Sequence, residues 1–311
     1  DNTKGKLGLG FAAGARPTPS KVLNLAGATE VAVNRDPDGS HACASTPEGI
    51  WCWGANFDRG AWTHPQGELG IGTSHTQPYP IHPVVDEDGD PILGTGLSLA
   101  TYSSSAIVNG EAWRWGYSLW NKSSGCYMSA NAPGGTTKYA QPAHLVGAGA
   151  GLDDNDVFTG DEGPVLDGVT QQAMGGCHVC VLREGDDRVW CNGSNYYGKL
   201  GSDNSGAHYP VEVLTDLDAG TPFTGATALA AGPGQTCALV GDDDALWCWG
   251  FNKSGNLATG ESGHDQSSPV PQPAQLENQE ILSGVSHVSM SDYNTCAISA
   301  GGDQLWCWGS D

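Results

Sequence analysis

Leu246-Trp247-Cys248-Trp249-Gly250 is the stretch on which the fold turns, because it does not stand alone. Ile50-Trp51-Cys52-Trp53-Gly54 and Leu305-Trp306-Cys307-Trp308-Gly309 repeat it almost letter for letter, and Val189-Trp190-Cys191-Asn192-Gly193 and Ala112-Trp113-Arg114-Trp115-Gly116 are weaker copies. Ahead of each lies a second matching stretch: His41 to Ala44, Ser104 to Ile107, His178 to Val181, Gln235 to Ala238 and Asn294 to Ala297. A long-period repeat of this kind must be settled before any single element, since it sets the architecture.

Behind each Trp-Cys-Trp-Gly comes a glycine-punctuated loop, as in Asn195 to Gly201, and then a proline-led extended segment such as Tyr209-Pro210-Val211-Glu212-Val213. Within copy four, alternating apolar residues between Gly and Asp turns predict strands near Thr227 to Ala231, Thr236 to Val240, Ala245 to Trp249 and Pro269 to Leu276. Four antiparallel strands per copy is one propeller blade.

The fifth copy stops at Gly309-Ser310-Asp311, before its loop and last strand, while Asn2 to Gly10 reads as that loop and Pro19 to Leu25 as that strand. Ends that complete one shared repeat imply a ring, in which no strand edge is left open. The expected fold is therefore all-β: a five-bladed propeller in one domain, residues 1–311, with blades near 28–94, 95–168, 169–225, 226–284 and 285–311 plus 1–27. Copy two spans the widest interval, Gly116 to Gly193, and is where a further blade would hide.

These motifs resemble the repeat of the regulator of chromosome condensation family, with its Gly-x-x-His-Thr-x-Ala-Leu, Trp-Gly and Asn-x-x-Gly-Gln-Leu-Gly segments. Gly232 to Leu239, Trp249-Gly250 and Asn195 to Gly201 carry the resemblance, Lys199 standing in place of Gln, whereas Asn121 to Gly125 has the wrong spacing. Members commonly have seven blades. The chain is also similar to the bacterial propeller-type inhibitors of β-lactamase, a resemblance that implies use of one aromatic loop face to clasp a protein.

Ten cysteines without a zinc pattern imply an oxidising compartment: secreted, periplasmic or cell surface. Cys43/Cys52, Cys180/Cys191, Cys237/Cys248 and Cys296/Cys307 fall at the same two positions of the repeat, opposite one another in a hairpin, where a disulfide can form. Copy two has Ser105 and Arg114 there, so both partners are missing together. Cys126 and Cys177 remain, as an inter-blade bond or as free thiols.

Thirteen basic against 35 acidic residues give a net charge of −22, a field that repels nucleic acid and anionic membrane. No apolar run approaches the roughly 18 residues of a spanning helix. No nucleic-acid partner and no membrane insertion are expected, and the chain reads as a monomer.

Two sets of side chains are candidate sites. One is the loops that follow the marker glycines, with Phe57, Asp58, Trp62, His64, Tyr117, Trp120, Tyr196, Tyr197 and Phe251. Aromatics on loops of one face have the composition of a binding surface, and the expected function is an extracellular module that engages a protein or glycan there. The other set is His41, Ser104, His178, Gln235 and Asn294, one per repeat. Facing a central channel they would hold a transition metal or serve an enzyme; hydrogen-bonded to the neighbouring blade they are structural. No motif for a particular reaction supports an enzyme. Asp86 to Asp90 and Asp153 to Asp156 have the character of calcium-loop fragments, but lack the EF-hand's closing Glu and equally suit solvated turns.

Overall fold

A computed structural model describes residues 2, 4–12, 14–34, 41–56, 67–73, 75–100, 103–117, 136–142, 144–146, 151–152, 158–159, 162–203, 206–263 and 266–310. They form two compact units, one within residues 1–167 and one within 168–311.

In the first unit, β1 (Glu30–Val33), β2 (His41–Thr46) and β3 (Gly49–Gly54) make a three-stranded antiparallel sheet. Isolated bridges from Trp51 to Pro83 and Gly54 to Gln77 supply the fourth line of pairing, where prolines interrupt a regular ladder. β4 (Thr95–Leu99), β5 (Ser103–Val108), β6 (Glu111–Tyr117) and β7 (Thr136–Pro142) make a full four-stranded sheet. The widest interval then holds two short antiparallel pairs, β8 (His144–Val146) with β11 (Glu162–Val165) and β9 (Gly151–Leu152) with β10 (Phe158–Thr159). Among the described residues this is a hairpin-like excursion, not another four-stranded sheet.

The second unit repeats the plan. β12 (Val169–Met174), β13 (His178–Arg183), β14 (Asp186–Ser194) and β15 (Gly206–Glu212) form one sheet, followed by the short pair β16 (Leu214–Asp216) and β17 (Thr221–Pro222). β18 (Ala226–Ala231), β19 (Gln235–Val240), β20 (Ala245–Gly250) and β21 (Ser268–Pro273) form the next, close to the strands expected for copy four. β22 (Val285–Met290), β23 (Asn294–Ser299) and β24 (Gln304–Gly309) form a sheet of three.

One expectation is not met. Residues 19–25 enter no ladder, and among the described residues β24 pairs with β23 alone, leaving Leu305 71% exposed.

Register explains the paired cysteines. Cys43 faces Cys52, Cys180 faces Cys191, Cys237 faces Cys248 and Cys296 faces Cys307, each with Cα atoms 4.1 Å apart and a formed disulfide. Ser105 and Arg114 occupy the same opposed sites of the second sheet, so one cysteine there would have had no partner. Cys177 is also disulfide-bonded; Cys126 lies outside the described residues.

Where a motif has two tryptophans, they stand two residues apart and so share one face of the strand, with the residue between them on the other. Trp51, Trp190 and Trp306 are half-buried, and their indole N–H groups return to Thr46 Oγ1, Asp186 Oδ2 and Ser299 Oγ of their own hairpins. Trp53 and Trp249 are buried and donate instead to the main chain of the preceding loop, at Lys6 O (2.9 Å) and Lys199 O (3.0 Å). Trp308 does the same at Asn256 O, 2.8 Å away. In copies one and five one tryptophan thus closes its hairpin while the other is tied to the loop of another repeat.

Candidate binding face

Among the described residues, asparagines hold the loops after β3, β14 and β20 and the matching stretch that starts at Asn2. Asn195 Oδ1 accepts from Leu200 N (2.8 Å) while its amide donates to Ser202 O (2.9 Å); Asn252 accepts from Leu257 N (2.9 Å) and donates to Glu261 O (3.1 Å). Asn2 and Asn56 make the corresponding pairs with Leu7 and Phe11 and with Leu69 and Thr73. A side chain that satisfies a donor and an acceptor inside its own loop fixes that loop without a ladder.

In the loop of β14 this clip supports an uncommon conformation. Tyr197 sits in the left-handed region at φ 68°, ψ 10°, which for a residue with a Cβ costs about 1 kcal/mol. Its ring lies 4.0 Å from that of Tyr196 and 4.7 Å from that of Phe251, which follows β20. Phe251 in turn lies 6.4 Å from Tyr293, between β22 and β23. In an antiparallel sheet the turn between first and second strands and the loop after the third lie at the same end, so four rings from three successive repeats line one end of the second unit. Tyr196 is 63% exposed, Tyr293 53% and Phe251 8%: the row has a buried keel and solvent-facing flanks. The hydrogen bond to the Tyr196 hydroxyl, then burial, raises the Tyr197 phenol above its usual range.

Beneath the row, Lys199 is 5% exposed, its ammonium a long 3.4 Å from Pro233 O, and burial lowers it to about 8. Its carbonyl accepts from both Trp249 Nε1 and Thr236 Oγ1, the latter at 2.9 Å, and His178 Nε2 is 2.8 Å from the same Thr236 hydroxyl. With that hydroxyl donating to Lys199 O, His178 must donate through Nε2, which leaves Nδ1 unprotonated. Burial, and then the charge of Lys199, keep His178 well below the usual histidine value. His41 repeats the relay in the first unit: Nε2 is 2.8 Å from Ser104 Oγ, which donates to Glu68 O at 3.1 Å.

Sequence comparison places Ser104 in line with His41, and the register corrects this. His41 opposes Gly54, His178 opposes Gly193 and Gln235 opposes Gly250; the residue opposing Gly116 is Ser103. Without its cysteine pair, copy two offers no anchor for the alignment. Of the remaining positions, Gln235 donates to Ser291 O at 3.2 Å and Asn294 to Ser310 O. Each of these links runs from a side chain to a neighbouring repeat or turn.

Phe57, Asp58, Trp62, His64 and Trp120 lie outside the described residues, and Tyr117 ends β6. Tyr293 is the member of the row that the sequence reading missed. It stands where the neighbouring repeats have Gly234 and Cys177, and an aromatic at a position otherwise filled by small residues was the available signal. The Asp86 carboxylate accepts from Asp88 N (3.1 Å) and Asp90 N (2.8 Å) within its own turn; Asp153 to Asp156 lie outside the described residues. Among the described residues no cluster of three metal-ligating side chains occurs.

Residues 243–298 match the regulator of chromosome condensation (RCC1) repeat. Over 142 residues, 45% of its length, the chain is 29% identical to the E3 ubiquitin-protein ligase HERC2 of Mus musculus and of Homo sapiens, and it spans 3% of those relatives. Human WBSCR16 superposes with a TM-score of 0.62 at 20% identity, covering 99% of this chain and 69% of that one. Prp20p of Saccharomyces cerevisiae superposes with a TM-score of 0.59 at 18% identity, covering 87% and 55%. The fold is that of the RCC1-type β-propellers, and the sheets described above are its blades. Residues 243–298 are the segment that carries the RCC1 repeat.

Proposed function

We propose that this protein is an extracellular, bacterial binding module that acts as a monomer and engages a protein or glycan through the aromatic loop face. The carrying observation is the continuous row Tyr196–Tyr197–Phe251–Tyr293, built from three repeats, with two rings more than half exposed. Aromatics presented on fixed loops give large contact area at small entropic cost. The yeast relative Prp20p has been described together with its binding to Gsp1p and histones, which favours a protein as occupant. The four disulfides within the described hairpins are compatible with a secreted, periplasmic or surface setting. Replacing Tyr196, Tyr197 and Tyr293 together by alanine should abolish capture of the partner from native extracellular fluid while leaving the unfolding transition in place; undiminished capture would refute the assignment to this face.

The same reading takes the propeller as a closed ring of five blades, with residues 19–25 paired to β24. Val213 N donates to Val189 O (2.9 Å), Val84 N to Ile50 O (2.7 Å) and Ala274 N to Leu246 O (2.8 Å). The corresponding residues here are Val22 and Leu305, and the link one position on, Leu23 N to Gly8 O at 2.9 Å, matches Leu214 N to Gly201 O at 2.8 Å. In the ring the Val22 amide should exchange with deuterium as slowly as that of Val213. Exchange at the rate of an open segment would contradict closure.

A further inference from the structure

The loop face described above is a surface without an assigned chemistry, and its electrostatics narrow the choice. Tyrosine rings offer a negative π-face, which attracts ammonium and guanidinium groups. The row lies among exposed carboxylates of the same loops: Asp203 just beyond the Asn195 clip, Glu261 at the Asn252 clip and Asp292 next to Tyr293. Opposing them, Lys199 is buried beneath the row and half or more discharged at alkaline pH, and Lys253 is exposed on the loop after β20. The whole chain carries −22, so the long-range field has the same sign as the local one. A neutral sugar would gain from the rings but nothing from this field, and an anionic partner would be repelled.

We propose that the occupant of this face is a protein segment bearing arginine or lysine, whose cationic groups stack on Tyr196 and Tyr293 while the surrounding carboxylates steer its approach. This rests on the reading of the row as a binding face, and it commits that face to a basic protein partner. Guanidinium suits the geometry best, because its plane can lie flat on a ring while its edge donates to carboxylates.

The test uses the full disulfide-bonded chain and two fluorescent probes: hexa-arginine, and hexa-citrulline, which has nearly the same shape without charge. Anisotropy titrations should show hexa-arginine bound and hexa-citrulline not. The Tyr196→Ala/Tyr293→Ala variant should bind hexa-arginine roughly ten-fold more weakly, the scale of losing one or two cation–π contacts. A control variant, Asp216→Asn/Asp218→Asn, at the opposite end of the strands, should change affinity far less. Equal hexa-arginine binding by the tyrosine variant would show that diffuse charge alone holds the peptide, and would overturn the proposal. Equal binding of hexa-citrulline would overturn it as well. Chitohexaose bound in a tyrosine-dependent manner, with no such dependence for hexa-arginine, would overturn the basic partner while sparing the face itself; no tyrosine dependence for the peptide, for chitohexaose or in capture from extracellular fluid would remove both.

Discussion

Trp249→Ala is expected to destabilise the protein by roughly 3–5 kcal/mol, the range for truncating a large buried aromatic. Trp249 is fully buried, packs edge-on against Phe223 at 5.8 Å and shares a core with Leu200, Val213 and Leu229. Its loss opens a cavity between two repeats and removes one of two donors from Lys199 O. Trp247→Ala, two residues earlier on the same face of the strand and also against Phe223, should cost less, because that ring is only half-buried. Chemical unfolding of both variants checks this. A loss below about 1 kcal/mol at Trp249, within the range of ordinary single substitutions, would mean that the repeats are not fastened through the second tryptophan.

The second large effect belongs to Lys199. Its ammonium titrates near 8 in the fold against an ordinary 10.5, because burial disfavours the charge. Below pH 8 both folded and unfolded chains carry the proton, and the fold bears the full desolvation penalty. Between pH 8 and 10.5 the unfolded chain holds more protons, so stability rises with pH until both forms are neutral. A gap of this size corresponds to about 3 kcal/mol. Lys199→Gln, which restores the residue of the repeat motif, should therefore stabilise the protein at pH 7 by roughly 1–3 kcal/mol, and the advantage should vanish once the unfolded chain too has lost its proton. Urea unfolding of both proteins at neutral pH, between the two titrations and above the second decides it; an advantage absent at neutral pH, or unchanged by pH, would contradict a buried ammonium.

The repeat and its strands were legible because most copies carry the same few residues at the same register: opposed cysteines, the tryptophans beside them, an asparagine in the loop. Three things were not. Ser103 was displaced by one in the alignment, since losing Cys-Cys to Ser105 and Arg114 erased the register mark. The paired strands β8 with β11 and β9 with β10 have no counterpart in other repeats, so no internal comparison could show them. Tyr293 went unread because its partners Phe251 and Tyr197 come from loops in other repeats, and contact between them depends on the left-handed turn at Tyr197. The hydrogen bonds of His41 and His178 were not legible either, because they depend on hydroxyls one position along in the next repeat, Ser104 and Thr236.

Photo-crosslinking from the face itself tests the account most directly. A benzoyl-phenylalanine placed at Tyr293, and separately at Ile281 in the turn between β21 and β22, would be irradiated with native extracellular fluid and the products identified by mass spectrometry. The account predicts a single basic protein joined from position 293, displaced by excess hexa-arginine, and no such product from position 281. A partner joined from position 281 and not from 293 would contradict it.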